Sequence, residues 1–173
     1  MIAARPVARE EGVHPLLWVA LAFGLLFHGV LLVTGSYTHT FDAWIHIFFA
    51  DHYSRSWFDN WEPRWYTGFT VTSYPPGTHM LIALASIAVG LQMGFVVVQL
   101  AAIGLLTVGI YRFSRIWVDP RAAGMAALLG VLGTSIAETV HVFGQLPTTA
   151  SLAFLLNTLP FVRDWLVTGR RFT

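Results

Sequence analysis

The sequence predicts an all-α fold: a polytopic membrane helix bundle with four full spans and an amphipathic interfacial helix in the first outer loop. Three observations predict it: the composition, the lengths of the apolar stretches, and the placement of the arginines. Of 173 residues, 55% are hydrophobic and only 11% are charged, where soluble domains carry about 25% charged residues. That deficit excludes a disordered segment and an ordinary cytosolic enzyme. All ten basic residues are Arg, in small groups, with net charge +1, so no basic stripe exists and nucleic acid is excluded as a partner. The absence of Cys excludes disulfides, thiolate metal sites and cysteine nucleophiles.

Residues 1–14 read as a cytoplasmic N-terminus. The first span, 15–34, has His28 as its one ionisable member and is long enough to cross about 30 Å at 1.5 Å per residue. A signal peptide would need Glu10 and Glu11 in its n-region and a small-residue cleavage site after Thr34, so an uncleaved anchor is expected. An outer loop follows at 35–75. The stretch 76–91 opens with Pro75-Pro76-Gly77 and, at this length, is borderline for a span. Three further spans occupy 94–167, over Gly94–Tyr111, Ala122–Phe143 and Thr148–Val162, the last extendable to Val167. Residues 168–173 form a cytoplasmic end.

The arginines arbitrate the borderline stretch. With 76–91 re-entrant or short, Arg5, Arg9, Arg112, Arg115, Arg121, Arg163, Arg170 and Arg171 share one face, as the positive-inside rule prefers. A fifth crossing would divide them. The expectation is therefore four crossings in the cytoplasmic (inner) membrane, with both termini inside. Gly104, Gly109, Gly124, Gly130 and Gly133 read as close-packing surfaces between helices.

The outer loop concentrates the chemistry. Residues 41–74 hold 12 of 25 aromatics, four of nine acids and two of seven His, which is more than a connector needs. The pattern predicts an amphipathic helix over 41–53, with Thr40 as N-cap and Phe41, Trp44, Ile45, Phe48 and Phe49 on one stripe, joined by His52. Asp42, His46 and Tyr53 cluster beside that stripe, while Asp51 points the other way. Asp42 and His46, at i and i+4, suit a general base or a pair of divalent-cation ligands. The competing reading is that Asp42 only stabilises the helix start. A catalytic zinc would want a third protein ligand.

Further along, Trp57, Trp61 and Trp65 recur every four residues, but Pro63 breaks a helix, so a short helical turn and then an extended run are expected. The rings read as an interfacial belt or as a platform for stacking sugar faces. Glu62 and Arg64 read as a local ion pair or a phosphate contact. Tyr74-Pro75-Pro76 is a rigid lead into the next helix, with His79 in its first turn. Glu138 and His141, at i and i+3 near the end of the third long span, precede Gly144-Gln145-Leu146-Pro147. An acid within a span costs about 2.5–3.5 kcal/mol at the membrane centre and usually has a partner or lines a polar cavity. These two are expected to share an outer cavity with Asp42 and His46. His28 reads as a helix–helix hydrogen-bond partner rather than a ligand.

The order of Asp42-Ala-Trp-Ile-His46, Trp-Tyr-Thr-Gly-Phe (65–69), Ser-Tyr-Pro-Pro (73–76), Tyr-Arg-Phe-Ser-Arg (111–115) and Gly-Gln-Leu-Pro (144–147) resembles the N-terminal part of GT-C-type membrane glycosyltransferases. It is most similar to the branch labelled 6-pyruvoyl-tetrahydropterin-synthase-related membrane proteins. The resemblance implies sugar transfer from a polyprenyl-phosphate donor at the outer face, with membrane lipids and that donor as partners. It implies Asp42 as base or divalent-cation ligand with His46 beside it, and Glu138, His141 and Gln145 as the second loop's contribution. Glu138 is the second catalytic candidate, and Trp65, Tyr74 and His79 are the further substrate-binding candidates. Such enzymes run to several hundred residues, so a shortened relative is expected. The alternative expectation is a non-catalytic accessory subunit of a larger, pigment-containing membrane complex with other membrane subunits. His28, His46, His52 or His141 would then be axial ligands.

Overall fold

A computed structural model describes residues 12–169; Arg5, Arg9, Glu10, Glu11, Arg170 and Arg171, which entered the topology argument, lie outside the described residues. The chain is mostly helical. In order it forms α1 (Pro15–Val33), α2 (Ala43–Arg55), a two-stranded hairpin of β1 (Trp61–Glu62) and β2 (Phe69–Thr70), α3 (Pro76–Val89), α4 (Leu91–Ser114), α5 (Pro120–Val131), α6 (Thr134–Glu138) and α7 (Leu146–Thr168). A π-helical turn, Thr139–Phe143, continues α6. Helices α1, α3, α5 and α7 each carry Pro in the first turn, where the missing N–H needs no partner. Asp119 caps α5, its carboxylate accepting from the amides of Arg121 at 2.9 Å and Ala122 at 3.0 Å.

Three segments are long and apolar enough to cross a membrane: Pro15–Val33, Leu91–Ser114 and Pro120–Phe143. Helix α7 has similar length, with Pro160, Arg163 and Asp164 in its second half, and lies outside that set. Contacts fix the directions. The amide of His14 donates to Tyr111 Oη at 3.1 Å, and Gly29 meets Leu100, so α1 and α4 run antiparallel. Gly124 packs on Leu16 and Gly24 on Val131, which makes α5 parallel to α1. Leu146 and Ala150 at the start of α7 share a core cluster with Phe95 and Val96 near the start of α4, and Arg112 near the end of α4 lies over the Phe161 ring at 4.5 Å, so α7 is parallel to α4; Gly109 meets Ala153 and Asn157 between them. These glycines allow the backbone approach that small residues favour.

One end of the bundle therefore gathers the start of α1, the α4–α5 turn with Arg112, Arg115 and Arg121, and the end of α7 with Arg163. The other end gathers the 35–75 loop, the π turn and the starts of α4 and α7. Helix α3 reverses into α4 at Gly90 and lies antiparallel to it, Gly94 resting on Ile82 and Ser86. Its first turn lies beside the first turns of α7, and at 14 residues it rises only about 21 Å.

Helix α2 begins two residues later than the sequence pattern suggests and shows a different face to the core. Its buried residues are Ala43, His46, Ile47, Phe49, Ala50, His52 and Tyr53, whereas Phe41 and Trp44 are exposed. The reason is steric: Ala43 and Ala50 let α2 approach Ile82, Phe95 and Val96 closely in the main core, which a stripe of large rings would prevent. A second cluster of Phe49, Tyr53, Val71 and Ala83 joins α2 to α3 and the hairpin.

The hairpin replaces the helical turn expected after Trp57. Trp61 pairs with Thr70 and Glu62 with Phe69, and the chain turns through Tyr66, Thr67 and Gly68, all at positive φ. Gly68 packs directly under the Trp61 ring, leaving no space for a Cβ.

Candidate functional site

The loop end is organised around the start of α2. The amides of Phe41 and Asp42 donate to the carbonyls of Val142 at 3.2 Å and Phe143 at 2.9 Å. These bonds occupy the residues where the pattern starts the helix, and they stitch the first loop to the π turn. Thr40 Oγ1 accepts from the Ala43 amide at 3.3 Å, which supplies the capping chemistry of a hydroxyl. Gly144, at φ 70°, turns the chain out of the π segment so tightly that a Cβ there would collide with Thr40. The Asp42 carboxylate is half-buried and makes no capping bond; it acts on His46 through space.

His46 is 1% exposed, and its Nδ1 lies 3.0 Å from Nε2 of His79, also 1% exposed. The rings stack at 5.2 Å, with Tyr74 edge-on to both and Phe49 against His79. The rigid Tyr-Pro-Pro segment thus places Tyr74 as one wall of an imidazole pair. Burial pushes the His46 ring down to about 4, partly offset by the Asp42 charge, so it is neutral at pH 7.

His141 and Glu138 part company. His141 Nε2 lies 2.9 Å from His28 Nδ1, and its Nδ1 lies 2.9 Å from Ser36 Oγ. His28 Nε2 lies 2.8 Å from the Val131 carbonyl, an oxygen at the break between α5 and α6. A carbonyl only accepts, so in the neutral pair His28 donates from Nε2, His141 donates to His28, and Ser36 donates to His141. This chain of bonds seals a break in a long apolar helix, the role expected for His28. Glu138 is exposed and has no hydrogen bond or ion pair among the described residues. It lies at the same end of the bundle as Asp42, but the structure does not bring the two carboxylates into contact.

The hairpin is locked onto α2 by ions. Glu62, fully buried, accepts from Arg64 Nε and Nη2 at 2.7 Å each and from the Arg64 amide at 2.8 Å. His52 Nδ1 sits 3.1 Å from the same carboxylate, and its Nε2 lies 2.6 Å from the Asp59 carbonyl. The Arg64 bonds hold the Glu62 carboxyl down at about 2. Asp51 bonds Arg55 at 3.0 Å and Arg64 at 2.5 Å, so it belongs to this lock and faces away from His46. Trp65 packs edge-on to Phe48 and stacks on exposed Tyr66.

A groove of about 680 Å³ runs between α3 and α7, lined by Pro75, Thr78, Leu81, Leu84, Pro147 and Phe154 among others. Its walls are apolar, and both helices begin at its rim without a side-chain cap. Gln145 stands at the α7 rim, its Oε1 accepting from Thr148 at 3.3 Å.

Among the described residues, no three His, Asp or Glu gather closely enough to hold a metal ion. Asp42 and His46 remain two candidates without a third, short of the three protein ligands a catalytic zinc uses. Both ring nitrogens of His28, His52 and His141 are engaged within the protein. No protein-family model, curated protein or solved structure matches the chain.

Proposed function

We propose that this chain is a four-span membrane protein that binds a polyprenyl-phosphate-linked sugar at its non-cytoplasmic end, as its resemblance to GT-C-type glycosyltransferases implies. One observation carries the reading: Pro75 of the Tyr-Pro-Pro segment and Pro147 of the Gly-Gln-Leu-Pro segment, far apart in sequence, line one groove between α3 and α7. The amide of Asp42 is bonded to Phe143, two residues before Gln145. The apolar walls suit the first isoprene units of a lipid chain. The first turns of α3 and α7, which lack side-chain caps and carry the positive ends of their helix dipoles, suit its phosphate.

In this reading Asp42 takes the proton of the acceptor hydroxyl as the sugar is transferred. No step is routed through a metal, because no three His, Asp or Glu among the described residues gather to hold one. Trp65 and Tyr66 stand at the exposed hairpin tip, where a sugar face could stack. Glu138, exposed beyond the π turn, is a candidate for contact with the acceptor or with a further subunit. Arg112, Arg115, Arg121 and Arg163 at the opposite end support an orientation with that end in the cytoplasm.

The test is binding of polyprenyl monophosphate and of the matching uncharged polyprenol to the purified chain in nanodiscs. Tighter binding of the phosphate, lost in Leu84→Trp, supports the proposal. Equal affinity for the two, or binding untouched by that substitution, contradicts it. A chain that binds no lipid phosphate but purifies with fixed membrane partners would favour the accessory-subunit reading.

A further inference from the structure

The two histidine pairs share the same internal bond and differ at their ends. In the His28–His141 pair, both outer nitrogens are bonded, to the Val131 carbonyl and to Ser36. In the His46–His79 pair, both outer nitrogens, His46 Nε2 and His79 Nδ1, are buried without a partner in the protein. Gln99 of α4 is fully buried, with neither its carboxamide oxygen nor its nitrogen bonded. Gln99 stands on the stripe of α4 that carries Phe95, Val96, Ala102 and Ile103, which packs with Ala43, Ile47 and Ala50 of α2 and Ile82 of α3. Thr78 Oγ1, adjacent in sequence to His79, is also buried and unpartnered, and Thr78 lines the groove between α3 and α7.

Five unpartnered polar atoms on three mutually packed helices are too costly to leave dry. An unsatisfied buried group costs about 1–3 kcal/mol, and native interiors meet such needs with ordered water. Chemistry adds a constraint. Between His46 Nδ1 and His79 Nε2, one nitrogen donates and the other accepts. In either tautomeric arrangement, the outer nitrogen of the donating ring is an acceptor and the outer nitrogen of the accepting ring is a donor. The pair always presents one donor and one acceptor, which is what a file of water molecules requires.

We propose that α2, α3 and α4 enclose ordered water bonded to His46, His79 and Gln99, and that the His46–His79 pair relays protons through it. A proton added to the accepting outer nitrogen shifts the inner proton across the His46–His79 bond and releases the proton on the far outer nitrogen. One proton enters, one leaves, both tautomers reverse and no net charge stays buried. One end of this relay stands four residues along α2 from Asp42, the other next to Thr78 at the groove. The proposal does not depend on the lipid or the sugar.

The test is nitrogen-15 NMR of histidine-labelled protein in nanodiscs, together with thermal melting of Gln99→Met. Cross-peaks from water to the His46 and His79 rings, both tautomers populated in exchange, and a lower melting temperature for Gln99→Met are expected. His28 and His141 are the internal control, each in the single tautomer protonated at Nε2. A single fixed tautomer at His46 and His79 with no water cross-peak would overturn the relay. A higher melting temperature for Gln99→Met would show the carboxamide to be dry and overturn the hydrated site.

Discussion

The amide of Asp42 donates to the carbonyl of Phe143 at 2.9 Å, binding the start of the first loop's helix to the end of the third long apolar segment. Because both are backbone groups, the link survives any change of side chain that leaves the π turn intact. It places the backbone of Asp42 beside the Gly-Gln-Leu-Pro turn irrespective of what Glu138 does.

The first prediction separates the two acids of α2. In a transfer assay, Asp42→Asn lowers the rate about 10²–10⁴-fold, the usual contribution of a general base. Asp51→Asn leaves it nearly unchanged, because Asp51 bonds Arg55 and Arg64 on the other face. Equal losses would contradict the assignment.

His28 is predicted to be structural. His28→Leu strands the Val131 carbonyl and the Nε2–H of His141, at about 1–3 kcal/mol each. Melting in detergent should show a loss of that order, with lipid-phosphate binding retained in the folded fraction. A melting temperature at or above wild type would refute the bonded chain.

Acid should destabilise the chain in two stages, the first at the His46–His79 pair and the second at the hairpin. His46 is held near 4 in the folded chain against 6.5 as its ordinary value, and Glu62 near 2 against 4.5. In both cases the unfolded chain binds the extra proton first, so stability is full above about pH 7 and falls as pH drops. The His46 part is lost between 6.5 and 4 and the Glu62 part between 4.5 and 2. Denaturant melts followed by tryptophan fluorescence should show this, and Glu62→Gln should remove the lower stage. A stability that rises toward pH 4 would contradict the sign.

Sidedness is testable because the chain has no Cys of its own. Single cysteines at exposed Phe58 and at exposed Trp117 should be labelled from opposite sides of sealed vesicles, Trp117→Cys from the cytoplasmic side. Labelling of both from one side would overturn the proposed orientation.

What the sequence reveals is the long-range apolar pattern, because helix length and composition are local properties. The three long apolar segments, the Glu62–Arg64 ion pair and the separation of Asp51 from His46 all follow from spacing of a few residues. The partner choices do not. Ring size along α2 suggests a buried aromatic stripe, but close packing of Ala43 and Ala50 on α3 and α4 turns His46 inward instead. The His46–His79 and His28–His141 bonds join residues 33 and 113 positions apart, which no periodicity can signal. The break at Leu132–Gly133 was readable only as a glycine among alanines, and Gln99 only as one amide in an apolar run.

The most direct test of the site is photo-crosslinking with a polyprenyl phosphate carrying a diazirine on its second isoprene unit. The account predicts adducts on Leu81, Leu84 and Phe154 in the α3–α7 groove, reduced by competing unlabelled polyprenyl phosphate. Adducts confined to the apolar surface of α1 and α4, around Leu25 and Leu100, or unaffected by competition, would contradict it.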